Sequence, residues 1–170
     1  MSEVARAVGI SRQALYLHFP ERASLLLALV ASVDQQEDLQ AGVEAVNAAP
    51  DAAAQIRAWV EMQSWRNPRI APIARALDQA RYSDEAVSKA WRNRTDNRMR
   101  AALAIVTRLR EEGRLHPNWT TEEAATLLWE LTSFRVWDDL VNESRLSPER
   151  YVEIVAAAAL AALESPVGTQ

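Results

Sequence analysis

Apolar residues recur at three-to-four spacing along almost the whole chain, and little interrupts them. Only 4 Gly and 7 Pro stand among 170 residues. No run of alternating, β-branched residues bounded by turns appears, so the chain is expected to be all-α. That length suits one domain, or a small head on one larger domain, and buries roughly 70% of the unfolded surface. No staple is needed, and none is available, because the chain has no cysteine. This excludes disulfide scaffolds, thiol catalysis and cysteine-ligated metals, and it fits a reducing, cytoplasmic setting. The longest apolar stretches, Ala23–Val33 and Ile154–Leu163, are too short to span a bilayer. Met1-Ser2-Glu3 is not the start of a secretory signal, so no membrane partner is expected. The net charge of −4 supplies no global field for nucleic acid, and any such binding needs a local patch.

Start and stop residues divide the periodic pattern. Ser2–Val8 reads as a short helix closed by Gly9 in the left-handed conformation. Ser11 caps a second helix over Arg12–Phe19, which Pro20 stops. A third runs from about Glu21 to Gln40, and Asn47-Ala-Ala-Pro50 is a break. Asp51–Arg66 is helical, Asn67-Pro68 ends it, and a shorter helix covers Ile70–Ala80. Ser83 or Asp84 opens a long helix to Glu112, closed by Gly113. Thr120 and Glu123 have capping-box spacing, and their helix is expected to reach Asn142. Ser147-Pro148 starts the last helix, to Leu163.

The first two helices and their Gly-containing turn form a helix-turn-helix pattern, whose second helix enters the major groove. Met1–Val33 carries Arg6, Arg12 and Arg22 against Glu3 and Glu21, a local excess of positive charge on an acidic protein. Arg12 and Gln13 are the side-chain types that read guanine and adenine edges. Tyr16 and His18 suit phosphates, although His18 also fits a partly buried surface histidine.

The segment from Glu3 to Leu26 closely resembles the DNA-binding head of the tetracycline-repressor (TetR) family, through Val4-Ala5, Gly9-Ile10-Ser11, Leu15-Tyr16, His18-Phe19-Pro20 and Leu25-Leu26. The resemblance implies an all-α, TetR-like fold: a helix-turn-helix head over residues 1–40, including a connecting helix, on a helical-bundle ligand-binding and dimerisation domain over 41–164. It implies that Ala5, Gly9, Leu15 and Phe19 build the head. It places Ser11, Arg12, Gln13 and Leu17 on or beside the recognition surface, with Tyr16, His18 and Arg22 at phosphates. It also implies that the head's first helix precedes the residue matched by Met1. Without that helix, Val4, Val8, Leu15 and Phe19 lose a packing partner, at roughly 1.5–3 kcal/mol for each side chain fully exposed, and DNA binding is expected to weaken.

The remaining helices are then expected to hold an effector. Six Trp against two Phe hint at a surface with large, flat, polarisable walls, though ordinary core tryptophans explain the count as well. Ile56, Trp59 and Met62 can line one side of a cavity. Val87, Trp91, Thr95, Arg98, Ala102, Ile105 and Leu109 form a stripe in which only Thr95 and Arg98 are polar. Such groups need partners, either an effector or water and a neighbouring acid. Trp129, Phe134 and Trp137 face either the cavity or a partner subunit. The candidate ligand-binding set is therefore Trp59, Met62, Trp91, Thr95, Arg98 and Trp129, and a small hydrophobic or aromatic effector, neutral or weakly acidic, fits it. Glu61, Asp78 and Glu130 can add charge, but helical spacing puts none of them inside. Leu, Ile and Ala surfaces on the last two helices, including Ala156–Ala159, suit a homodimer packed across a two-fold axis.

With His18 and His116 as the only histidines, and neither a Gly-rich phosphate loop nor HExxH spacing, no enzyme, cofactor or metal is expected. The main reading is a transcriptional regulator, a repressor that binds palindromic double-stranded operator DNA as a dimer and is released by its effector. The alternative is a helical small-molecule-binding or interaction protein that does not bind DNA because the first head helix is absent.

Overall fold

The computed structural model describes residues 1–34 and 37–165, and of residues 22, 23, 30, 33, 34, 37–39, 86, 90 and 93 it describes the backbone only. The described chain is helical, without a strand; a single isolated bridge joins Leu115 to Glu164.

The head consists of α1 (Ser2–Ala7) and α2 (Arg12–His18). Gly9, at φ +71°, makes the turn in the left-handed region that a side chain would strain. The Ser11 hydroxyl accepts from the Ala14 amide at 3.0 Å and starts α2. Ala5 and Leu15 are its buried contacts, while Val4, Val8 and Ile10 stay exposed.

Next come α3 (Arg22–Asp34) and α4 (Glu37–Asn47). Helix therefore extends past Gln40, where the sequence pattern ended it. Gly42 does not stop α4, because it serves a close approach: a Cβ there would meet Met62 Cγ at 2.9 Å. The spine of the body is α5 (Ala52–Ala80), one helix that passes straight through Pro68 and Pro72. This corrects the expected break at Asn67-Pro68. An internal proline costs about 3 kcal/mol. Against that, α5 buries Ile56, Val60 and Met62 before the prolines and Ile70, Ala74 and Leu77 after them, each worth about 1–3 kcal/mol. The Arg69 guanidinium also donates to the Trp65 carbonyl at 2.6 Å, next to the Ser64 carbonyl that loses its helical donor at Pro68.

The second long helix, α6 (Glu85–Glu111), starts at the Asp84 cap and ends at Gly113, φ +71°. The capping box of Thr120 and Glu123 opens α7, but α7 ends at Leu131 (Thr121–Leu131). The expected continuation to Asn142 is broken at Thr132-Ser133. Thr132 turns its hydroxyl back to the Leu128 carbonyl at 2.8 Å, and Ser133 caps a new helix through the Val136 amide. That helix is α8 (Phe134–Trp137), which passes into a π-helical segment, Asp138–Glu143. Ser147-Pro148 then start α9 (Pro148–Leu163) as expected.

Two main cores hold the body. One joins α5, α6, α7 and α9 around Ile56, Trp59, Ile105, Leu109, Leu128 and Leu163. The other seats α8 and α9 on α5 through Val60, Trp137, Tyr151 and Val155. A small third cluster, Leu26, Leu77 and Val87, ties α3 to α5 and α6.

Candidate functional site

In α2, Leu15 points into the head and fixes which side faces out. Gln13 and Leu17 lie opposite Leu15, Arg12 and Tyr16 lie on one flank, and all four are exposed; Leu17 is 79% exposed. Ser11 and His18 are exposed at the two ends of the helix. A leucine so open contributes nothing to the packing of α1 and α2. The Arg22 side chain lies outside the described residues.

A cavity of about 180 Å³ lies between α5, α6 and the α7–α8 break. Its apolar wall is Ile70, Ala74 and Leu77 from α5, Trp91 from α6, Trp129 from α7 and Phe134 from α8. Thr95 and Arg98 line it too, so four of the six candidate residues meet there. The other two do not. Trp59 is buried in the main core, where its indole N–H donates to the Thr132 hydroxyl at 3.1 Å, and Met62 is buried where α4 crosses α5. The periodicity that puts them on an inner face is right. That face meets α4 and α7 instead of the cavity, which begins about two turns further along α5.

The stripe on α6 is thus divided by tertiary packing. Val87, Ala102, Ile105 and Leu109 are buried in cores, while Trp91, Thr95 and Arg98 open into the cavity between them. The Thr95 hydroxyl returns to the Arg92 carbonyl at 2.8 Å. Arg98 donates to the carbonyls of Trp129 and Thr132, each at 2.9 Å, and so caps the carboxyl end of α7. Its guanidinium lies 5.6 Å from the Trp129 ring centroid. Burial, with the like charge of Arg66, holds the Arg98 pKa down to about 10.

The amino-terminal residues 1–29 match the model of the bacterial regulatory proteins of the tetR family. Three solved structures share the fold. A tetR-family regulatory protein from Rhodococcus RHA1 matches at TM-score 0.67 and 19% identity, over 96% of this chain and 85% of its own. NalD, the secondary repressor of the MexAB-OprM multidrug efflux pump in Pseudomonas aeruginosa, matches at 0.71 and 20%, over 96% and 85%. A TetR-family transcriptional regulator from Chloroflexus aurantiacus J-10-FL matches at 0.62 and 16%, over 98% and 84%. The amino-terminal segment thus matches the tetR family, and the chain as a whole shares the fold of these regulators. No curated relative matches it.

In this TetR-like fold, sequence reasoning missed most of the cavity's charge. Arg66, Arg81, Arg94 and Arg135 line it together with Arg98, against only Asp78 and Glu130. The Asp78 carboxylate pairs with Arg81 at 2.8 Å and with Arg135 at 3.2 Å. Arg81 also lies over Trp91, 5.1 Å from its centroid. The signal was present as an Arg-rich composition with one lysine, Lys89, but these arginines come from four separate stretches of chain. Of the three acids weighed from the sequence, Asp78 and Glu130 do line the cavity, whereas Glu61 pairs with Arg57 on the exposed face of α5. No described helix is long and apolar enough to cross a membrane.

Proposed function

We propose that this chain is a ligand-responsive transcriptional regulator, a repressor whose head, residues 1–40, binds palindromic operator DNA and whose body, 41–164, holds a small hydrophobic or aromatic effector and dimerises. Arg12 and Gln13 read base edges, Ser11 and Leu17 flank them, and Tyr16, His18 and Arg22 hold phosphates. The single observation that carries this reading is Leu77. It packs with Leu26 of α3, the helix that follows the head, and it also lines the cavity beside Trp91. An effector that moves this wall therefore acts on the helix through which the head joins the body, and packed interfaces of this kind switch between discrete arrangements.

The dimer surface we propose is α8, the π-helical segment and the outer side of α9, where Ala157, Ala158 and Ala161 are exposed on an otherwise apolar helix. Leu131 is a poor probe of that surface, since it packs against both main cores of its own subunit.

The test is selection of bound duplexes from a random DNA pool. Enrichment of a two-fold symmetric site, with half-sites about one helical turn or more apart, is expected. Compounds that quench tryptophan fluorescence should then release that site. Enrichment of no site, with compounds still quenching, would leave the binding-protein reading.

A further inference from the structure

The guanidinium of Arg98 is only half used. Among the described residues, every hydrogen bond it makes leaves from Nη2: to the Trp129 carbonyl, the Thr132 carbonyl and the Thr132 hydroxyl. Nε and Nη1 donate none, although Arg98 lines the cavity. None of its bonds goes to a carboxylate. Asp78, one of the two acids that line the cavity, is occupied by Arg81 and Arg135. Beside Arg98, the Trp129 indole N–H is buried without an acceptor, and so is the Tyr151 hydroxyl, close enough for Arg98 to act on it electrostatically. The wall thus has donors and positive charge in excess, five arginines against the two acids Asp78 and Glu130, and no carboxylate bonds Arg98.

From this we infer that the Nε–Nη1 edge of Arg98 takes a carboxylate, and that the effector is a small aromatic monoanion whose ring lies against Trp91 and Trp129. The inference rests on the cavity being the effector site. A carboxylate matches that edge with two parallel charge-assisted hydrogen bonds, a fit that a neutral amide or an alcohol lacks. The volume agrees with a single ring. An apolar cavity of about 150 Å³ accepts benzene, and this one holds about 180 Å³. A bound carboxylate would also contact the residue that caps α7 and bonds Thr132 at the helix break.

Three probes of one shape test the idea: benzoate, benzamide and benzylammonium, titrated against the whole chain by tryptophan fluorescence and melting temperature at fixed chloride. Benzoate is expected to bind about tenfold or more tighter than benzamide, and benzylammonium weakest. Arg98→Gln should remove the benzoate preference and leave benzamide binding nearly unchanged. Trp129→Phe, which keeps a ring in place, should weaken both acceptor-bearing probes severalfold. If Arg98→Gln does not fold, the wild-type ratio of benzoate to benzamide still decides. Equal affinity of the two would overturn the anion while leaving the cavity as the site. Failure of all three probes to quench or stabilise at millimolar concentration would overturn the cavity reading and this inference together.

Discussion

The head and the body of this chain use their side chains in opposite ways. In the head, Ala5 and Leu15 are the buried apolar contacts, and the polar residues of α2 point outward. In the body, polar groups such as Arg98, Thr132 and Trp59 point inward and meet across helices far apart in sequence. Chemistry displayed on one short helix depends on the 3.6-residue period alone. Chemistry assembled inside a bundle depends on which helix lies opposite. Mutations should therefore separate the two regions: head changes alter recognition with little effect on stability, and body changes alter stability first.

The strongest contrast is Leu109→Ala against Leu17→Ala. Leu109 is wholly buried, so its truncation should cost about 2–5 kcal/mol and lower the melting temperature by several degrees. Leu17 is open to solvent, and its loss should change stability by no more than about 0.5 kcal/mol. Comparable melting shifts in the two variants would erase the distinction. Next in size is Arg12→Ala or Gln13→Ala, expected to relax base preference at one half-site position by about 1–3 kcal/mol, read from binding to single-substituted duplexes. Tyr16→Phe should instead weaken all sequences alike.

Thr132→Val probes the inside-out arrangement of the body. It removes the acceptor of the Trp59 N–H and leaves that group buried and unpaired, at about 1–3 kcal/mol in urea unfolding. A loss below about 0.5 kcal/mol would mean that the contact contributes only packing. The smallest effect belongs to the exposed pair Arg75–Asp138, which joins α5 to the π-helical segment with Nε to Oδ2 at 3.0 Å. Arg75 lowers the Asp138 pKa. A carboxyl depressed in the folded state contributes stability above its unfolded pKa, about 4, and loses it as pH falls through the folded value. Asp138→Asn should therefore narrow the stability gap between pH 7 and pH 3 by under about 1 kcal/mol. A wider gap in the variant would reverse that sign.

Ala157→Asp sharpens the comparison from a third side, because α9 presents one face to the subunit core and the other to solvent. With Ala157 exposed, the variant should keep its fold and sediment as a monomer where the wild type sediments as a dimer. A wild-type monomer at micromolar concentration would remove the proposed interface.

Local rules were sufficient for most of the elements. Gly9 and Gly113 mark left-handed ends, Ser11, Asp84, Thr120 and Ser147 mark starts, and each works through atoms within four residues of itself. The exposed residues of α2 were legible for the same reason. The sequence alone thus determined an all-α chain, its main start and stop points and which side of α2 faces out. Tertiary structure decided the rest. Helix α5 runs through two prolines because contacts on both sides of them outweigh the lost backbone bonds. The stretch after Leu131 breaks because Thr132, Ser133 and Arg98 offer its backbone better partners than another helical turn. Trp59 and Met62 left the candidate cavity, and Arg66, Arg81, Arg94 and Arg135 entered it, since periodicity assigns a side chain to a face and only packing assigns that face to a neighbour.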